Sequence, residues 1–107
     1  MNSIDSYALR LGIAPCISGY KKFTEAVNMY LHTDGMPTLK NICEQIGEKY
    51  LLSGKAVFRA IDYAIKTAKD LNKNLSELTG IKVYEEDIRP KYVIYLVVQC
   101  IKQELED

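Results

Sequence analysis

The sequence contains no tryptophan, one histidine and three cysteines. Each scarcity closes off a class of chemistry. The cysteines are Cys16, Cys43 and Cys100. Their number is odd and no CxxC pair occurs, so neither a disulfide framework nor a zinc knuckle is expected. Reduced thiols packed in a core are the expectation, as in a cytosolic protein. His32 has no second His or Cys near it in sequence, so no metal site is expected. No Gly-rich phosphate loop is present, and one histidine gives no workable Ser/His/Asp or Cys/His set. The sequence therefore predicts a protein that is not an enzyme and needs no cofactor. Long apolar runs are missing as well. The longest, Tyr92–Val98, is far too short to cross a bilayer. The first residues, Met1-Asn2-Ser3-Ile4-Asp5, lack the basic-then-apolar pattern of a secretory signal. These absences predict a cytoplasmic chain with no membrane partner.

Net charge is absent too, with fourteen basic and fourteen acidic residues. Its distribution is uneven. Residues 1–39 carry three of each sign. Residues 40–73 carry seven bases (Lys40, Lys49, Lys55, Arg59, Lys66, Lys69, Lys73) against four acids. Residues 74–107 reverse this, with four bases against seven acids. A basic middle is the segment a polyanion would favour, and a solvated helix face explains the same surplus nearly as well. The Glu85-Glu86-Asp87 run lacks the oxygen spacing of a calcium loop and reads as a solvated turn or helix cap.

What is present is ordinary globular material: 48% of the residues are apolar and 26% charged, which argues against disorder. The 107 residues suffice for one domain, 1–107, with one core. Apolar spacing predicts an all-α fold of about six helices. Ile4, Ala8 and Leu11 form a short amphipathic helix ended by Gly12. Phe23, Ala26, Val27, Tyr30 and Leu31 follow helical spacing up to the stop signals Asp34-Gly35 and Pro37. Thr38 caps a helix whose stripe is Leu39, Ile42, Cys43 and Ile46. Ser53 caps the longest stripe, which runs through Val57, Ile61, Ala64 and Ile65 to Leu71 and ends at Asn72-Lys73-Asn74. Asn74 and Glu77 resemble a capping box for a single turn closed by Gly80. Lys82-Val83-Tyr84 fits a short extended piece.

Tyr92–Val98 is β-branched and aromatic, as a strand would be. Val93, Leu96, Val97, Cys100, Ile101 and Leu105 nevertheless fit one helical face, and Pro90 suits a first turn, so a helix is predicted. Ile94, Tyr95 and Val98 lie off that face. A helix apolar over so much of its circumference is either central in the core or shared with a partner, and Ile94 and Val98 predict self-association.

Residues 39–71 have the layout of a helix-turn-helix. Gly47 is small where the two helices cross, Leu52 is placed to plug the corner, and Ser53 caps the second helix. Val57 and Ile61 point inward, which leaves Gly54, Lys55, Phe58, Arg59, Asp62 and Lys66 on the outward side. In a DNA-binding unit that side enters the major groove. One slot departs: the turn favours Gly or Asn, which tolerate positive φ, and here it holds Leu51.

With these residues in view, the chain resembles the C-terminal DNA-binding effector domain of the stage zero sporulation protein A family of response regulators. The matching stretches are Leu11-Gly12-Ile13, Ile17-Ser18-Gly19-Tyr20 and Glu25-Ala26-Val27-Asn28-Met29. Val57, Arg59-Ala60-Ile61 and Ala64-Ile65 follow, then Leu78-Thr79-Gly80, Val83 and Pro90. The resemblance implies an all-α domain that binds duplex DNA sequence-specifically and controls transcription on entry into sporulation. It leaves room for a homodimer or tandem dimer on DNA and for contact with RNA polymerase. Carried over residue by residue, it implies a DNA-contacting set of Ser53, Lys55, Ala56, Phe58, Arg59, Asp62, Tyr63 and Lys66. Arg59 matches a basic residue used on DNA, and Lys55 stands where the family has a small polar contact. Ala56 and Phe58 stand where the family carries Arg and Glu, Asp62 replaces a base, and Tyr63 replaces His. The missing Arg removes a guanine reader worth roughly 1–3 kcal/mol, so the family's operator preference does not carry over. Weak, altered or lost DNA binding stays open. The family's N-terminal receiver domain has no counterpart in these residues, which fits either an excised or a free-standing effector domain. The rival reading is a protein-interaction module that keeps the fold, with Phe58 and the last helix as its surfaces.

Overall fold

Side-chain caps account for where three of the helices begin. In a computed structural model, which describes residues 2–33 and 37–106, Asn2 accepts the Asp5 amide at 2.9 Å and starts α1, Ser3–Arg10. Thr38 accepts the Asn41 amide at 3.1 Å and starts α3, Leu39–Tyr50, after α2, Ser18–Leu31. Ser53 accepts the Ala56 amide at 3.1 Å and starts α4, Gly54–Thr67. Each cap satisfies an amide that has no partner inside its helix. α5, Leu71–Thr79, ends at Gly80, and a 3-10 turn at Glu85–Asp87 leads to α6, Pro90–Glu106. Among the described residues there are six α-helices and no strand. The all-α class and the helix number agree with the sequence, and Tyr92–Val98 is helical throughout. The Asp34-Gly35 stop signal lies outside the described residues; α2 ends before it, at Leu31. No helix among the described residues is long and apolar enough to cross a membrane.

Four expectations need correction. The stripe read as one helix to Leu71 is interrupted: α4 stops at Thr67, Ala68 is extended, and Asp70 takes a left-handed conformation at φ 56°. Leu71 then faces the core from a new helix, so the apolar stripe continues although the helix does not. Asn74 is inside α5 rather than at its cap. Its amide donates to the Leu11 carbonyl at 3.2 Å and ties α5 to the end of α1, a contact across 63 residues that local pattern could not show. Leu105 stays on the predicted face of α6 but lies in its last turn and is exposed rather than in the core. Finally, Ile94 and Val98 are buried, at 1% and 4% exposure. α6 packs on α1, α2, α4 and α5, and these neighbours use up its wide apolar arc. The ground for self-association through this helix is thereby removed.

α2 and α4 cross with almost no separation. A Cβ at Gly19 would lie 2.0 Å from the Ala60 carbonyl oxygen, so only glycine fits there. Phe23, Ala26 and Val27 continue the α2 side of the core, and Val57, Ile61, Ala64 and Ile65 the α4 side, all within 1% of full burial. Dense packing of this kind fixes helix orientation as well as stability.

Two buried-edge tyrosines clasp α1. Tyr7 donates its hydroxyl to Glu104 of α6, and Tyr20 of α2 donates to Asp5 Oδ1 at 2.7 Å. Burial first, and then the adjacent carboxylate, pushes both phenols from the ordinary 10 up to about 12. The folded state thus prefers the protonated phenol. Its contribution is complete below pH 10 and is lost as pH rises through about 12. Unfolding free energy measured in urea should fall across that interval. A Tyr7→Phe, Tyr20→Phe double variant should fall less steeply; an identical slope would show that the two phenols do not carry the dependence.

Candidate nucleic-acid interface

The α3–α4 corner is closed by backbone. Gly47 of α3 faces the turn so closely that a Cβ would sit 2.3 Å from the Leu52 carbonyl oxygen. The Gly47 carbonyl in turn accepts the Leu52 amide at 2.8 Å. Leu52 was expected to plug the corner with its side chain. It is instead 44% exposed, and the close contact at the corner is made by its peptide group against Gly47. Leu51 does adopt the left-handed conformation the turn requires, at φ 59° and ψ 43°, and its side chain is 92% exposed. The turn geometry therefore survives an unfavourable residue, at a local cost of roughly 1–2 kcal/mol.

A charged cluster braces the same corner from below. Lys49 and Tyr50 of α3 both donate to Glu25 Oε1 of α2, at 2.8 and 2.9 Å. Lys22, only 7% exposed, donates to the Ser18 carbonyl at 3.3 Å and lies 4.8 Å from the centre of the Tyr50 ring. Its charge is accommodated by that ring face and by its single carbonyl contact. Sequence spacing had not linked these residues, because they meet only when α2 packs against the end of α3.

With α4 held in this way, its outward side forms a usable surface. Lys55, Phe58 and Arg59 are exposed on it, and Lys55 and Arg59 stand one helical turn apart. Together with Leu39, Lys40, Cys43 and Glu44 of α3, and with Ser53 and Gly54, they line an open groove of about 620 Å³. Its walls are mainly apolar, with Leu39, Cys43 and Phe58 contributing, and burial pushes the Cys43 thiol up. Lys40, Lys55 and Arg59 supply three cations around it, against the one acid Glu44. Among the described residues none of these three cations enters an ion pair.

The rest of the expected set is arranged differently. Lys66 is exposed, but it pairs with Asp62 at 2.9 Å, so neither charge stands free. Both lie farther along α4, outside the groove. Tyr63 is exposed on the flank of α4 and Ala56 is half-buried; neither lines the groove. Lys40 is the residue that sequence reading counted as charge but did not place. It lies in the first turn of α3, away from the turn that joins the two helices, and lines the groove only because α3 crosses α4.

Among the described residues no group of three or more His, Cys, Asp or Glu side chains could hold a metal ion. No family model, curated protein or solved structure matches the chain.

Leu51→Gly should raise stability by about 0.5–1 kcal/mol. Glycine relieves the left-handed strain, partly offset by its greater freedom in the unfolded chain, and the 92% exposed Leu51 side chain gives up no packing. A urea midpoint equal to or below that of the parent would show that Leu51 is unstrained.

Proposed function

We propose that this domain is a sequence-specific duplex-DNA-binding regulator of transcription, with α3 and α4 acting as a helix-turn-helix and α4 entering a major groove. The observation that carries this reading is the convergence around the exposed front of α4 of Lys40, Lys55 and Arg59, none of which enters an ion pair among the described residues. A duplex meets such a corner with phosphates on the α3 end and base edges under α4. Lys55 lies in the first turn of α4, where free backbone amides also favour phosphate. Arg59 lies one turn deeper, within reach of base edges. Asp62 pairs with Lys66 and offsets its charge on this side of α4. The resemblance to the stage zero sporulation effector domain supports the same face and extends the reading to control of sporulation genes in the cytoplasm. A homodimer or tandem dimer on DNA and a contact with RNA polymerase belong to that extension. With Ile94 and Val98 buried, such a dimer would use a surface other than those side chains.

Phe58, in a groove with mainly apolar walls, favours a second reading in which the corner docks a protein. Salt dependence separates the two. Binding to random duplex and to a selected duplex should weaken as salt rises, with each phosphate contact adding about 0.9 to the log–log slope. Lys55→Ala should lower that slope by about one on both duplexes. Arg59→Ala should weaken the selected duplex by roughly 1–3 kcal/mol and the random duplex by less. Asp62→Asn removes a carboxylate and frees Lys66, so it should tighten random-duplex binding. Absence of salt-dependent binding at low salt, or three variants that behave like wild type, would leave the protein-docking reading in place of DNA.

A further inference from the structure

We propose that Phe58 recognises the 5-methyl group of a thymine, making it the side chain that sets part of the operator sequence. The inference rests on the DNA reading above and names what the α3–α4 groove reads. Phe58 is 38% exposed on the outward side of α4, flanked by Lys55 three residues before it and by Arg59 directly after it. Part of the ring stays open to water between two cations, where it is available as an apolar contact. The groove wall it shares with Leu39 and Cys43 is apolar, whereas the rim carries Lys40, Lys55 and Arg59. The surface thus combines an apolar wall with cationic side chains in one groove lining.

On the major-groove side of a duplex, the apolar feature of a base pair is the thymine methyl. It projects from the pyrimidine edge nearest the sugar–phosphate strand, so a methyl and a phosphate are presented together. Lys40 and Lys55 suit the phosphate, and the Phe58 ring suits the methyl. Guanine, adenine and cytosine present N7, O6 or amino groups there. Against an aromatic ring these would lose water without gaining a partner. Glu44, the one acid in the lining, repels phosphate from its own part of the groove and so helps to fix the strand on the lysine side.

The test changes the DNA before it changes the protein. A duplex selected from random sequence is remade with deoxyuridine in place of each thymine in turn, which removes only the methyl. Wild-type protein should lose about fourfold in affinity at one position, the effect of one buried methyl-sized group. Phe58→Ala should bind the thymine and uracil duplexes equally at that position, while Phe58→Leu, still apolar, should keep part of the preference. Wild type that binds both duplexes equally at every position, with salt-dependent binding intact, overturns the role of Phe58 and leaves the DNA reading standing. A uracil effect that persists unchanged in Phe58→Ala overturns it as well, since another group then reads the methyl. Absence of salt-dependent binding to any duplex removes the DNA reading, and this inference with it.

Discussion

The carbonyl oxygens of Ala60 and Leu52 leave no room for a side chain at Gly19 and Gly47, and this double approach decides what α4 shows to solvent. At both places backbone lies directly on backbone, so α4 sits close against α2 and its N-terminal turn close against α3. A helix clamped at its start and its middle cannot roll. Val57, Ile61, Ala64 and Ile65 are then held inward, and the helical repeat places Lys55, Phe58 and Arg59 on the opposite side. The Ser53 cap fixes where the helix begins, and with it the register of every residue that follows. Leu51 is part of the same constraint. The chain accepts an unfavourable conformation there because the corner closes only through that geometry.

Electrostatics on this surface follow from which charges find local partners. The chain is neutral as a whole, yet its cations are not equally available. Lys49 is engaged by Glu25 and Lys66 by Asp62. Exposed pairs of this kind contribute little to stability, on the order of 0–1 kcal/mol. Their larger effect is to withdraw two lysines from the field outside the molecule. Of the five other bases in residues 40–73, Lys40, Lys55 and Arg59 line one groove with Glu44 as its one acid, while Lys69 and Lys73 are exposed elsewhere. The basic segment thus places three of its seven bases around one groove.

Features set by neighbours in sequence were legible in advance. The caps at Thr38 and Ser53, the end of α5 at Gly80, the inward stripe of α4 and the helical character of Tyr92–Val98 all depend on residues within a few positions of one another. Features set by distant neighbours were not. The break at Ala68–Asp70 contains neither glycine nor proline, and the Asn74 contact with Leu11 beside it is long-range. Leu52 looked like a plug because its type suits one; the corner is instead closed by its peptide group lying against Gly47. In the candidate interface, Lys55, Phe58 and Arg59 were legible from helical spacing. Lys40 was not placed, because its membership depends on how α3 crosses α4. The pairing of Asp62 with Lys66, four residues apart, was available from spacing and changes which of the expected residues stay free.

α6 shows how the same apolar pattern can serve two ends. A helix apolar over more than half its circumference suits a partner surface only if its own domain leaves part of it bare. Here α1, α2, α4 and α5 surround it, and Ile94 and Val98 join Val93 and Val97 in the core. Tyr95 is left half-exposed, a scattered apolar residue of the kind that needs no partner. At the α3–α4 corner the balance is opposite. Leu51 and Leu52 are exposed at the turn, and Phe58 and Tyr63 farther along α4, whose buried side is already filled. The core has therefore taken most of the apolar surface of α6, with Tyr95 and Leu105 left outside it, and leaves Phe58 exposed on α4. Phe58 lies in the same groove lining as Lys40, Lys55 and Arg59, which is why recognition is proposed for α4 rather than for the last helix.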